Sequence, residues 1–119
     1  TILMQIALQL SVAVEAHPAC RLYVAPLDVC LDNDDDTIVQ PDILIVCNEN
    51  DMDERRVNGA PDFITEILSP SSRYHDMFRK LNKYRLAGVR EYWILDPYQQ
   101  KLLVYFFESG SAPKPNILK

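Results

Sequence analysis

The chain has 119 residues, 48% of them hydrophobic, which is enough for one compact domain with its own core and too little for two. The formal net charge of −5 excludes a general nucleic-acid coat protein, whose affinity depends on cations that neutralise phosphates. No apolar run is long enough to cross a bilayer, so we expect a soluble, cytoplasmic protein without a membrane partner. Because the sequence starts at Thr1 inside an apolar pattern, we also expect that an N-terminal part of the domain precedes it.

The first half of the chain predicts one helix and two strands. Apolar residues near helical spacing predict an amphipathic helix over residues 2–14. The His17-Pro18 pair that follows prevents the helix from continuing. The segment CRLYVAPLDVCLD is rich in β-forming residues and predicts a strand with a bend or an edge position around its proline. The clearest strand is TIVQPDILIVC, whose near-continuous apolar run after Asp42 indicates burial on both faces.

After a polar loop, the second half predicts a third strand, a helix and a hairpin. In DFITEILSP, side chains alternate between two faces, so Asp62, Glu66 and Leu68 share one face. The strongest predicted helix lies within residues 69–89, with Ser71 or Ser72 as its N-terminal cap and Gly88 as its C-terminal stop. EYWILD and KLLVYFFE then predict a β-hairpin, and residues 109–119 predict a loose tail. The order of elements predicts an α/β fold in which helices flank a mixed sheet of about five strands.

The three cysteines are widely spaced and include no C-x-x-C motif. Cys20, Cys30 and Cys47 therefore argue against a disulfide framework or a zinc site. We interpret them as small buried residues in a reducing compartment.

Two acidic residues stand at the ends of neighbouring predicted strands. If Asp42 and Glu66 face the same side, their carboxylates converge and need a cation between them. Hard oxygen ligands suit Mg²⁺ or Mn²⁺, and the backbone carbonyl of Ile67 could add a third oxygen. The structural alternative is that Asp42 binds a nearby backbone amide and that Glu66 is a buried acid paired with Arg or Lys.

The second predicted helix offers a lysine for the same site. Asp76 and Lys80 are four residues apart and share a helix face. An amine near the two acids could orient the attacking water or stabilise charge on a phosphoryl oxygen. With a metal ion, this set describes phosphodiester hydrolysis. The alternative is an exposed Asp76–Lys80 pair on the helix surface.

Three segments carry a resemblance to a known family: VQPDILIV, GAPDFITEILSPSS and HDMFRKLNKYRLAGVREYWILDP. Together they resemble the PD-(D/E)XK nuclease superfamily, and more closely its Uma-type putative restriction endonuclease family, from about Tyr23 to Tyr105. The resemblance implies a restriction-endonuclease-like fold over residues 1–119 as a single domain. It also implies a Mg²⁺- or Mn²⁺-dependent endonuclease that acts on DNA, with no organic cofactor.

The same resemblance assigns roles to individual residues. It makes Asp42 and Glu66 the two acids that hold the metal, and the Ile67 carbonyl a further ligand. The sequence departs from the superfamily pattern at Leu68, where many members carry the catalytic lysine. Lys80 is the residue that fits a lysine moved to the adjacent helix.

Other residues are less specifically indicated. Asp62 and Asp76 could contact the metal through water, while Arg73, Arg79 and Lys83 form a cationic helix face that could contact DNA phosphates. Since the chain is acidic overall, we expect a homodimer or a partner to supply more of the DNA surface.

Further assignments stay open from the sequence. An acid on the first helix often joins such sites, but Glu15 lies beyond the predicted helix, and Asp28 has no assigned role. Two other functions are compatible with the sequence: a catalytically inactive nuclease fold that serves as a binding or assembly module, and a phosphodiesterase that acts on small molecules.

Overall fold

The computed structural model describes residues 1–31, 37–53, 55–71, 74–108 and 116–118. These residues form two α-helices, α1 (Ile2–Glu15) and α2 (Tyr74–Ala87), and a short 3₁₀ helix at Glu49–Asp51. The strands of the described part are β1 (Arg21–Val24), β2 (Asp28–Cys30), β3 (Ile38–Val39), β4 (Ile43–Val46), β5 (Arg56–Asn58), β6 (Phe63–Ile67), β7 (Glu91–Asp96), β8 (Lys101–Phe106) and β9 (Asn116–Leu118). Neither α-helix has the length and apolar character needed to span a membrane.

The strands form a large mixed sheet and a small one. The large sheet has six strands in the order β1-β4-β6-β7-β8-β9, in which β6 and β7 are parallel and the other neighbours are antiparallel. Parallel neighbours need a long crossover, and α2 provides it between β6 and β7. The small sheet has the order β3-β2-β5. The predicted mixed α/β fold is confirmed.

A proline divides each of the first two predicted strands. One part of each lies in the large sheet and the other part in the small sheet. At the cis Ala25–Pro26 bond the chain leaves β1, an edge strand of the large sheet, and enters β2 of the small sheet. At Pro41 it returns from β3 of the small sheet to β4 of the large one. A proline has no N–H for a sheet ladder, so each break falls where hydrogen bonding to one sheet stops. Asp42 therefore lies at the junction between the two sheets.

The prediction of a loose tail over residues 109–119 is wrong for Asn116–Leu118. These residues form β9, which pairs with the outer edge of β8 and places Ile117 opposite Leu103. An edge strand exposes unpaired N–H and C=O groups, and a short apolar segment can satisfy them. This added strand raises the large sheet from the expected five strands to six. Residues 109–115 and 119 lie outside the described residues.

The helix predictions are confirmed with small changes at the ends. Helix α1 ends at Glu15, one residue later than predicted. Helix α2 ends before Gly88, which has a φ of +107° and donates its N–H to the Tyr84 carbonyl at 3.2 Å. Glycine adopts this left-handed conformation without a Cβ clash, which explains why the helix stops there.

The main core lies between one face of the large sheet, α2 and the small sheet. Buried residues of the sheet face are Leu44, Val46, Ile64, Leu68, Tyr92, Ile94, Leu103 and Tyr105. Helix α2 adds Met77, Leu81 and Tyr84, and the small sheet adds Val29 and Val57. Because side chains alternate along β6, Glu66 shares this face with Ile64 and Leu68 and points toward α2.

The expectation of unpaired cysteines is wrong for Cys20 and Cys47, which form a disulfide bond. Strands β1 and β4 pair antiparallel with Arg21 opposite Val46, so the next residue outward on each strand is a cysteine. The pairing of these strands, which sequence spacing does not reveal, brings the two thiols together. Cys30 is free and buried, as predicted.

Candidate active site

Asp42 and Glu66 meet where β4 begins and β6 ends. Asp42 Oδ2 accepts a hydrogen bond from the Ile67 N–H at 2.7 Å, and the Asp42 N–H donates to Glu66 Oε1 at 3.2 Å. The antiparallel register, with Ile43 opposite Thr65, produces this arrangement. Glu66 therefore binds the backbone N–H of Asp42, and Asp42 binds the backbone N–H of the residue that follows Glu66.

Glu66 is a buried carboxylate, only 3% exposed, that accepts hydrogen bonds from three donors. Lys80 Nζ lies 2.7 Å from its Oε2, and the Tyr84 hydroxyl donates to the same oxygen at 3.3 Å. The third donor is the Asp42 N–H. Burial raises the pKa of Glu66 above its ordinary value, the Lys80 ammonium opposes that rise, and the nearby Asp42 carboxylate adds to it. The two acids are thus close enough to interact electrostatically.

Helix α2 delivers Lys80 to this pair of acids. The Lys80 side chain is 37% exposed, so it lies at the boundary between the buried Glu66 and solvent. It forms its ion pair with Glu66, and the expected surface pair with Asp76 is absent among the residues that the structure describes. The amine therefore stands beside the carboxylates and remains accessible to a molecule that approaches from outside.

These contacts agree with both interpretations of the two acids. Asp42 binds a backbone amide and Glu66 pairs with a lysine, as the structural alternative predicts. The same contacts bring two carboxylates and an amine together, as a metal-dependent hydrolase requires.

The donor set fits Mg²⁺ or Mn²⁺. The Ile67 N–H points toward Asp42, and since the N–H and C=O of a strand residue point to the same side, its carbonyl is directed there too. Two carboxylates and one carbonyl would supply three hard oxygens, and Mg²⁺ commonly completes its shell with water. Within the described ranges, no group of three or more His, Cys, Asp or Glu side chains offers an alternative metal site.

Leu68 occupies the position where many members of the superfamily carry lysine. It is 5% exposed and packs in the core that α2 covers. A lysine ammonium would lose its hydration there. Lys80 approaches Glu66 from the helix instead, with a side chain that is partly exposed to solvent.

Asp62 is not brought to this site. Its Oδ2 accepts a hydrogen bond from the Cys47 N–H at 2.7 Å, at the opposite end of the β4–β6 pair. Asp62 lies four positions before Glu66, which corresponds to roughly 13 Å along an extended strand. Asp62 also lies 3.9 Å from an Arg90 nitrogen. Its role in the structure is to hold the end of the strand pair, and the expected water-mediated contact with a metal at Glu66 has no support from this placement.

The other candidate acids lie outside direct contact with the carboxylates. Asp76 is exposed in the first turn of α2, where a negative charge favours the helix dipole. Glu15 ends α1 and lines a separate cleft with His17. Asp28 accepts a hydrogen bond from Gln40 Nε2 at 2.6 Å, so it helps to fix the segment that leads into Asp42.

An open cleft of about 360 Å³ lies beside Lys80. Its lining residues are Val39, Ser71, Asp76, Met77, Arg79, Lys80 and Lys83. Arg79 and Lys83 thus line the same cleft as Lys80, whereas Arg73 lies outside the described residues. A larger cleft of about 480 Å³ includes Asp62, Arg90 and part of α1, away from Glu66.

Tyr84 is the contact that sequence reasoning missed. An aromatic residue at helical spacing from Leu81 and Met77 indicates a core position, and the Tyr84 ring is indeed buried with 0% exposure. Its hydroxyl, however, reaches Glu66. The available signal was its spacing, because a residue four positions after Lys80 lies on the same face of the helix.

The mixed sheet, its crossover helix and the position of the acids define a protein with a nuclease fold. A crystal structure with the same architecture, that of a putative nuclease from Anabaena variabilis, matches with a TM-score of 0.77 at 19% sequence identity. The match covers 98% of this chain and 64% of that chain, so this chain spans less than two thirds of that protein's length. At this identity the likeness establishes the fold alone.

Residues 1–118 match the profile of the Uma2 family, which is described as "Putative restriction endonuclease". The chain belongs to the Uma2 family, and the resemblance found in its sequence is confirmed. No curated protein is similar enough to match the chain.

Proposed function

We propose that the chain is a metal-dependent, endonuclease-like hydrolase that cleaves DNA phosphodiester bonds. Its family and fold support the nuclease class. The observation that carries the proposal is the convergence of Glu66, Lys80 and Asp42, with Lys80 Nζ 2.7 Å from Glu66 Oε2 and the Asp42 N–H 3.2 Å from Glu66 Oε1. This combination of charges, next to a cleft that Lys80 lines, suits a reaction that places negative charge on a phosphoryl group.

Each residue has a distinct task in the proposed reaction. Asp42, Glu66 and the Ile67 carbonyl would hold Mg²⁺ or Mn²⁺. When bound, such an ion polarises a phosphoryl oxygen and lowers the pKa of a coordinated water. Lys80 would donate a hydrogen bond to a phosphoryl oxygen or to the attacking water, and its partly exposed side chain favours this. The apolar wall that includes Leu68 keeps bulk water away from the inner side of Glu66.

The DNA strand would run along the cleft beside Lys80. Arg79 and Lys83 line that cleft and provide cations for the phosphates next to the scissile bond. One chain has a formal net charge of −5, so two cations give limited grip. A homodimer would place a second cationic helix on the same duplex, and we propose this assembly for the DNA-bound state.

The proposed DNA contact predicts a change in salt dependence. An Arg79→Ala/Lys83→Ala variant should bind DNA more weakly and lower the slope of log affinity against log salt concentration by about 1 per residue. Fluorescence anisotropy with a labelled duplex measures both quantities. Arg85→Ala is the matched control, because Arg85 is exposed on the same helix but does not line the cleft. Equal slopes in the double variant and in Arg85→Ala would remove this surface from the proposal.

A cleavage assay tests the proposed function directly. The parent protein should nick or linearise supercoiled plasmid DNA with Mg²⁺ or Mn²⁺ and show no cleavage in EDTA. A small chromogenic phosphodiester, assayed in parallel, separates the substrate classes. Cleavage of the small diester without cleavage of DNA would favour a small-molecule phosphodiesterase. Metal-independent cleavage would contradict the proposed mechanism.

A second candidate function is a catalytically inactive nuclease fold that binds or assembles with other molecules. The Glu66–Lys80 ion pair favours it, because a protein cation already compensates the buried carboxylate. Leu68 favours it as well, since it replaces the lysine found in many superfamily members. DNA binding without cleavage, and without any effect of divalent ions on stability, would support this function over the first.

A cytoplasmic location remains part of the proposal. The Cys20–Cys47 disulfide is the feature that speaks against it, because structural disulfides are rare in reducing compartments.

A further inference from the structure

Two groups of different mobility hold the same oxygen of Glu66. Lys80 Nζ and the Tyr84 hydroxyl both donate to Oε2, at 2.7 and 3.3 Å, while Oε1 accepts from the Asp42 N–H. Lys80 has a long flexible side chain that is 37% exposed, whereas Tyr84 has 0% exposure. The carboxylate is therefore held by one donor on a long, partly exposed side chain and by one that is fully buried.

The Tyr84 ring is immobilised by an aromatic cluster. Tyr92 meets it edge to face, with ring centroids 5.0 Å apart and an interplanar angle of 73°. Tyr92 is itself stacked on Tyr105 and Phe107 at 6.2 and 6.5 Å. A buried phenol in such packing has few rotamers available. Burial also raises the pKa of Tyr84, so its hydroxyl keeps its proton and acts as a donor.

We infer that Tyr84 is a positioning residue, whose hydroxyl holds the Glu66 carboxylate with Oε2 toward α2 and Oε1 toward Asp42. The inference rests on the proposed function for its consequence: Oε1 is then presented on the side where Asp42 and Glu66 would share a metal ion. When Lys80 turns toward a phosphoryl group, Oε2 keeps one donor. Glu66 can then retain its orientation while the lysine acts on the substrate.

The Tyr84→Phe variant isolates the hydroxyl, because the ring and its packing stay. Isothermal titration calorimetry with Mn²⁺ on the full chain should show an affinity about 10–100-fold lower than that of the parent, the usual loss when a group that orients a metal ligand is removed. Tyr92→Phe is the matched control. It removes a buried hydroxyl that donates its hydrogen bond to the Met77 sulfur at 3.7 Å and not to Glu66, so Mn²⁺ affinity should stay near the parent value. Equal Mn²⁺ affinities for Tyr84→Phe and Tyr92→Phe would overturn the inference.

A metal-free measurement separates this inference from the proposed function. Tyr84→Phe should lower the melting temperature of the parent, and should lower that of a Glu66→Gln variant by less than half as much, because the hydroxyl's charged partner is gone. Equal effects in the two backgrounds would show that the hydroxyl does not act through Glu66, and the inference would fail. A parent protein that binds no divalent ion contradicts the proposed function, and this thermal cycle then still decides whether Tyr84 orients Glu66.

Discussion

Replacement of either acid by its amide, Asp42→Asn or Glu66→Gln, is expected to abolish the stabilisation that Mg²⁺ or Mn²⁺ gives the parent protein, and with it DNA cleavage. An ion at 100 times its dissociation constant stabilises a folded protein by about 2.7 kcal/mol, which a thermal melt detects easily. An amide keeps the size of the side chain but loses the negative charge that a hard cation requires. Thermal melts with and without metal, together with plasmid cleavage, measure the loss.

Without metal, Glu66→Gln should not destabilise the folded protein. Burial raises the pKa of Glu66, so above that pKa the ionised carboxylate costs folding free energy that is absent when the group is protonated. Near neutral pH, Glu66→Gln should therefore equal or exceed the metal-free parent in stability. A gain in stability together with a loss of function is the pattern expected when an acid is kept for chemistry rather than for folding.

Asp62→Asn is the control for both variants. Asp62 is an acid on the same pair of strands that also binds a backbone amide, but it does so at the opposite end. Its amide variant should keep the full response to metal. If Asp62→Asn loses that response as well, or if Asp42→Asn and Glu66→Gln keep it, the metal site is elsewhere or does not exist.

The convergence of Asp42 and Glu66 could be predicted because it depends on local patterns. The apolar run after Asp42 indicated a buried strand, and alternation along the next strand placed Glu66 on the same face as Leu68. Two strands that are consecutive in the predicted order often pair, which brings the end of one beside the start of the other. The family resemblance assigned Lys80 to the site, whereas helical spacing showed only that it shares a face with Asp76. The steps that rest on the sequence pattern alone need only the periods of strands and helices.

The features that escaped prediction depend on pairings between distant segments. The Cys20–Cys47 bond requires the β1–β4 pairing, and β9 requires an edge that only the assembled sheet provides. Alternation gives the face of Asp62 but not the end of the sheet at which it acts. Tyr84 was missed for another reason, since a buried aromatic ring satisfies the core pattern whether or not its hydroxyl has a task.

Lys80→Ala should separate binding of the metal from chemistry. The variant loses the group that would orient water or stabilise the transition state, and we expect cleavage to fall by about 10²–10⁴-fold. Binding of Mn²⁺ should persist or become tighter, because the ammonium 2.7 Å from Glu66 Oε2 competes with a metal ion for the negative charge of that carboxylate. Single-turnover plasmid cleavage and calorimetry measure the two effects on the same preparations.

Two further variants make the result specific to an amine at this place. Arg85→Ala removes an exposed cation from the same helix at a position that does not line the cleft, and cleavage should continue at the parent rate. Lys80→Arg keeps the charge but spreads it over a planar group that gives up protons far less readily. Activity in Lys80→Arg near the parent level would assign the residue a purely electrostatic role, whereas a loss as deep as that of Lys80→Ala would require the amine itself. Full activity in Lys80→Ala would show that Lys80 only pairs with the buried Glu66. The proposed mechanism would then have no lysine in place of the one that many superfamily members carry at the position of Leu68.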